Sequence, residues 1–123
     1  MEPTTPNAVL LLIRSPLYGS GRAGEGLRVA TAMIAMDVLP RILFVDEGVY
    51  CLLKNQAPEA VGLASLGERL KAISDLIGIH VLSDSMAIRN LKQDDLESDY
   101  NVKTLTLDEA VNLFAQSNSV ITF

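Results

Sequence analysis

The 123-residue sequence predicts an α/β protein built on a mostly parallel, five-stranded sheet with helices on both faces. Two observations lead there. Residues 9–13 and 42–45 are uninterrupted apolar runs, the mark of strands covered on both sides and not of half-wet hairpins, and 79–82 reads as a third strand. The stretches between them repeat apolar residues at spacings of three and four, which makes them helical crossovers, and crossovers of that length join co-directional strands.

The first strand, Val9 to Ile13, closes at Arg14-Ser15-Pro16. After a glycine-rich turn, Leu27, Ala30, Ile34 and Val38 place one apolar stripe on a helix that must end before Pro40. The second strand, 42–45, stops at Asp46-Glu47-Gly48, and 49–53 is expected as a short helix broken by 55–58. Ser65 and Glu68 make a capping box ahead of Leu66, Leu70, Ile73 and Ile77, and Gly78 separates this helix from the third strand, 79–82. Ser83 or Asp84 then caps a helix through Met86 toward Leu91, and the acidic stretch 94–99 reads as a solvated loop. A short strand at 102–105 precedes a second capping box, Thr106 with Glu109. Behind that box Leu107, Ala110, Val111 and Phe114 are expected on one helical face, and the last strand is 120–123.

Composition narrows the function. The length fits one domain, residues 1–123. Hydrophobic residues make up 49% and charged residues 20%, with mean hydropathy +0.28, which excludes disorder and predicts an oligomer that covers surplus apolar surface. A net charge of -5 removes nucleic acid and anionic membranes from the expected partners. The apolar run 9–13 is too short to span a bilayer and has no basic leader. A single cysteine, Cys51, forms no internal disulfide, and no Cys/His spacing suits zinc; a reducing, cytoplasmic setting without metal or cofactor is expected.

Two constellations offer chemistry. Gly19, Gly21 and Gly24 have dinucleotide-loop spacing between a strand and a helix, with Asp46 beyond the next strand where a ribose-binding acid would stand. Residues 15–18 lengthen that turn, and the chain is too short for a second mononucleotide-binding half, so a close-packed helix start is the plainer reading. With Arg14, Arg22 and Arg28 around it, the loop also suits a small anion, which makes a small-ligand or nucleotide-binding module one alternative function. The other constellation is Cys51, just past the second strand's carboxyl end, where open α/β sheets hold ligands and helix dipoles stabilise a thiolate. Asp46 and Glu47 oppose an anion there, and a cysteine between Tyr50 and Leu52 also packs as a small apolar group. A thiol enzyme is thus the second alternative. Asp46, Gly48, Ser83 and Asp84 border the same crevice, while His80, inside a strand, reads as a satisfied structural imidazole unless it couples to Cys51.

One set of residues goes further. Glu47-Gly48-Val49-Tyr50, the pair Leu52-Leu53, and Gln56 with Pro58 resemble the DsrE/DsrF family, in particular its DsrF/TusC branch. The loop at 15–26, Ser85 and Arg89 after the third strand, and the terminal 120–123 agree with it, so the likeness covers nearly the whole chain. The resemblance implies a flavodoxin-like subunit of a sulfur-transfer system, in which DsrE/TusD-like and DsrH/TusB-like partners or further copies assemble and pass persulfide sulfur between cysteines. In DsrE/TusD-type subunits the sulfur-bearing cysteine follows the third strand; this chain has Leu82-Ser83-Asp84 there. The resemblance therefore implies a role in assembly or partner docking, with no catalytic cysteine carried over to Cys51.

Overall fold

The computed structural model describes residues 8–16, 21–54 and 66–123, with the side chain of Leu66 set aside. Five strands, β1 (Val9–Ile13), β2 (Arg41–Phe44), β3 (Ile79–Leu82), β4 (Lys103–Leu105) and β5 (Ser119–Thr122), form one sheet ordered β4-β3-β2-β1-β5. Every neighbouring pair is parallel. The helices are α1 (Arg22–Ala35), α2 (Leu66–Ser74), α3 (Ser83–Ile88) and α4 (Leu107–Ala115). The chain steps outward from β1 to β4, then crosses back to put β5 on the far side of β1. Because crossovers keep one hand, reversing direction along the sheet moves the connecting helix to the other face. The doubly wound α/β architecture is the one expected, although its strand order is not the 2-1-3-4-5 of flavodoxin itself.

Strand alternation divides the core in two. Leu11, Ile13, Ile42, Phe44, Ile79 and Val81 face α1, α2 and α3, packing with Leu27, Ala30, Leu70, Ile73 and Met86. Leu10 and Leu43 face the other way, against Ala110 and Leu113 of α4, with Leu12, Val45, Leu82 and Leu105 half-buried around them. His80 lies on this second face between Lys103 of β4 and Arg41 of β2. The satisfied imidazole expected from the sequence is not found: among the described residues its buried Nδ1 has no hydrogen-bond partner, and burial together with those two cations holds its pKa below the ordinary value. Burial on both faces explains why β1 and residues 42–45 read as unbroken apolar runs.

Other expectations change as well. Helix α4 begins with the anticipated capping box, in which the Glu109 amide donates to Thr106 Oγ1 at 3.2 Å and the Thr106 amide to Glu109 Oε1 at 2.9 Å. The helix is rotated from its expected setting, however: Leu107, Val111 and Phe114 are 54%, 56% and 39% exposed, while Ala110 and Leu113 meet the sheet. The short side chain of Ala110 lets the helix lie close to Leu10 and Leu43, and the bulkier stripe is left outside. The acidic stretch 94–99 is likewise no free loop. Two 3-10 turns, Gln93–Asp95 and Ser98–Tyr100, keep the carboxylates at the surface while Leu96 and Tyr100 enter the core. Glu97 N–H donates to the Leu52 carbonyl at 2.9 Å and Lys54 N–H to the Asp95 carbonyl at 3.1 Å, fastening the stretch to the segment after β2.

That segment, Asp46–Leu52, is a 3-10 helix crossing the carboxyl end of β1. The Val45 amide donates to the Ile13 carbonyl at 3.0 Å, and Gly48 passes over the same carbonyl so closely that a Cβ would collide with its oxygen. Gly26 does the corresponding job in α1, where a Cβ would collide with the Ile13 side chain. Among the described residues, no helix is long and apolar enough to cross a membrane.

Because backbone at Ile13 cannot yield as a flexible side chain can, Gly48→Ala is expected to cost about 3 kcal/mol and lower Tm by about 10 °C in thermal denaturation. Thr106→Ala, which removes only a cap, is expected to cost about 1 kcal/mol and to leave the fold intact by circular dichroism.

Candidate functional site

A cavity of about 520 Å³ opens at the carboxyl rim of the sheet. Arg14 and Ser15 enter it from the end of β1, Arg22 from the first turn of α1, and Asp46 and Glu47 from the start of the 3-10 segment. Arg89 follows α3, and Thr122 with Phe123 completes the lining from the end of β5. The rim between β1 and β5 is where the order of strands reverses, the place where open α/β sheets leave a crevice between diverging loops.

Asp46 organises this rim. Its backbone takes the left-handed conformation, φ 52°, which aspartate tolerates better than most residues. Two contacts hold it there: its amide donates to Ser85 Oγ at 3.0 Å, and its Oδ2 accepts from Arg14 Nε at 3.0 Å. Ser85, buried under the rim, also offers its carbonyl to Arg89 Nη1 at 3.1 Å. The Arg89 guanidinium then lies over the Tyr50 ring, 5.9 Å from its centroid, a cation–π contact that orients it. The acid-Gly-Val-aromatic stretch thereby acquires a physical meaning: Gly48 allows the crossing, Val49 anchors it in the core, and Tyr50 supports Arg89.

Cys51 takes no place at the rim. It is 4% exposed, its Sγ donates to the Ser15 carbonyl at 3.5 Å, and burial pushes its thiol up to about 12. At neutral pH the sulfur is a protonated packing group, without the lowered pKa that a nucleophile requires. His80 cannot assist it, since alternation puts the imidazole on the α4 face and Cys51 in the core of the opposite face.

Of the other residues anticipated from sequence, Asp46 and Arg22 meet in the cavity, and Gly48 lies beneath its wall. Gly21 is the N-cap of α1 and Gly24 lies in its first turn, whereas Gly19 falls outside the described residues, as do Ser65, Gln56 and Pro58. Ser83 and Asp84 neither line the cavity nor cap α3. The helix starts at Ser83 with Leu82 at the N-cap, and the Ser83 hydroxyl donates to Asp84 Oδ1 at 3.4 Å. The pairing of Arg89 with Ser85, and the contribution of Thr122 and Phe123, were not anticipated. An arginine four residues after a serine at a helix start was the available signal for the first; the second depends on β5 lying beside β1.

No group of His, Cys, Asp and Glu among the described residues is arranged to hold a metal ion. With one strand beyond β1, the sheet also lacks the second half on which a dinucleotide site is built.

Comparison with known proteins agrees with this geometry. Residues 7–123 match the model of the DsrE/DsrF-like family. The chain is 34% identical over 89 residues to the intracellular sulfur oxidation protein DsrF of Allochromatium vinosum, covering 71% of this chain and 65% of that protein, just short of two thirds of its length. It is 30% identical over 114 residues to a TusC homolog of Vibrio parahaemolyticus, covering 91% of this chain and 95% of that one. The crystal structure of the ychN protein from E. coli shares the fold, with a TM-score of 0.77 at 20% identity over 95% of this chain and 99% of that chain. The parallel five-stranded sheet, the glycine-dependent crossing after β2 and these matches together place the chain in the DsrE/DsrF-like family.

Proposed function

We propose that this chain is a non-catalytic subunit of a cytoplasmic persulfide relay of the DsrF/TusC type, assembling with DsrE/TusD-like and DsrH/TusB-like subunits or with further copies of itself. The observation that carries this reading is the lack of a usable thiol among the described residues of the rim: Ser83-Asp84 follows β3, and the one cysteine is sealed below with its proton held. A subunit of this kind contributes surface and architecture while a partner carries the sulfur. The names of the DsrF and TusC relatives supply the sulfur context.

Assembly has support of its own. Leu107, Val111 and Phe114 form an outward apolar stripe on α4, and Val120 and Ile121 are 41% and 39% exposed on the edge strand β5. Exposed apolar groups on a helix face and on an open edge strand cost solvation free energy unless another subunit covers them.

Co-expression with a cysteine-bearing relative is expected to give a stable complex by size-exclusion chromatography with light scattering, and Val111→Asp with Phe114→Asp is expected to release this chain from it. In that complex Cys51→Ala is expected to leave persulfide transfer unchanged; transfer abolished by that substitution would overturn the reading. The raised thiol pKa has a defined sign. The folded chain keeps a proton that an unfolded thiol loses near 9.0, so the contribution of Cys51 to stability is full below pH 9 and falls as pH rises toward about 12. At pH 8 iodoacetamide is expected to label the folded chain far more slowly than the denatured one, because the folded thiol is both protonated and buried.

A further inference from the structure

The geometry points to the rim cavity as a binding site for a small divalent oxoanion of the size of sulfate, thiosulfate or phosphate. Three guanidinium groups reach it from three separate elements: Arg14 after β1, Arg22 on the first turn of α1, and Arg89 after α3. Two carboxylates, Asp46 and Glu47, stand against them. A chain with a net charge of -5 has thus brought three of its ten basic residues to one concave place.

Arg14 and Arg89 are held for outside contact. Arg14 engages Asp46 through Nε alone, and the described residues give its two Nη groups no acceptor. Arg89 spends Nη1 on the Ser85 carbonyl, which together with Tyr50 fixes the plane of the guanidinium and leaves Nη2 and Nε for an incoming oxygen. A fork fixed in this way suits a tetrahedral oxoanion, which accepts paired, charge-assisted hydrogen bonds. Ser15, after β1, and Thr122, in β5, also line the cavity and carry hydroxyls. Gly21 gives α1 no side chain with which to satisfy its first amides, so the positive end of the 14-residue helix adds to the field without being the site's foundation. All of this converges at the strand-order reversal, where the loops of β1 and β5 part.

The site makes no use of Cys51, and its test is separate from that of the relay, since it reads the isolated chain and not a complex. Calorimetric titration at fixed ionic strength with thiosulfate, sulfate and phosphate, and with chloride as control, is expected to show saturable binding of the divalent anions, their order of affinity telling the sulfur oxoanions from phosphate. Arg89→Gln and Arg22→Gln are each expected to weaken binding by about tenfold or more. Arg22 stands on α1 and not beside α3, so its variant keeps the test valid should loss of the Arg89 contact loosen α3. Arg28→Gln, which removes a pair with Glu25 at 3.4 Å from a residue outside the cavity, is expected to change affinity by less than about twofold. Absence of saturable binding, or equal loss on Arg28→Gln and Arg89→Gln, would overturn the assignment.

Discussion

The near-contact between Gly48 and the Ile13 carbonyl is the constraint on which the upper half of the molecule depends. A parallel sheet sends each strand's carboxyl end into a separate loop, and these loops would diverge if nothing tied them together. Here the chain leaving β2 folds back across the end of β1, and that crossing sets the position of everything at the rim. Asp46 arrives within reach of Arg14, Tyr50 comes under Arg89, and Cys51 is drawn into the core. A side chain at position 48 would lift the 3-10 segment and separate these groups together. The glycine in the acid-Gly-Val-aromatic stretch is therefore a packing requirement whose consequences are functional.

The rim forms a chain of dependence. Ser85 sits at its centre, accepting from the Asp46 amide with its hydroxyl and from Arg89 with its carbonyl. One buried residue on a six-residue helix thus links the loop after β2 to the arginine after α3. Buried polar groups cost free energy unless they are bonded, and these bonds offset that cost while fixing two side chains that face solvent. The ion pair between Arg14 and Asp46 is half exposed on both sides and adds little stability by itself. Its effect is orientation.

Much of the architecture was legible in the sequence because burial on two faces leaves a strong mark. Val9–Ile13 and Ile79–Leu82 were readable to the residue, as was the Thr106 capping box, since those signals are local. The rotation of α4 was not, because Leu107, Val111 and Phe114 satisfy helical spacing as well as Ala110 and Leu113 do; which stripe turns inward depends on how closely the helix can approach Leu10 and Leu43. The acidic 94–99 stretch misled for a related reason: its charge is truly solvated, yet Leu96 and Tyr100 between the acids carry the chain into the core. At the site, Asp46 and Arg22 were identified from local motifs. Thr122 and Phe123 belong to it only because the last crossover reverses direction, a property of strand order that no local pattern encodes.

The two faces of the sheet also divide the labour of sequence change. Three helices, the 3-10 crossing and the rim contacts are all committed to one side, where a substitution disturbs several neighbours at once. The nine-residue α4 is answerable to the sheet through little more than Ala110 and Leu113, and its outward side holds none of the groups that build the cavity. A substitution on that outer side meets none of the neighbours that hold the rim together.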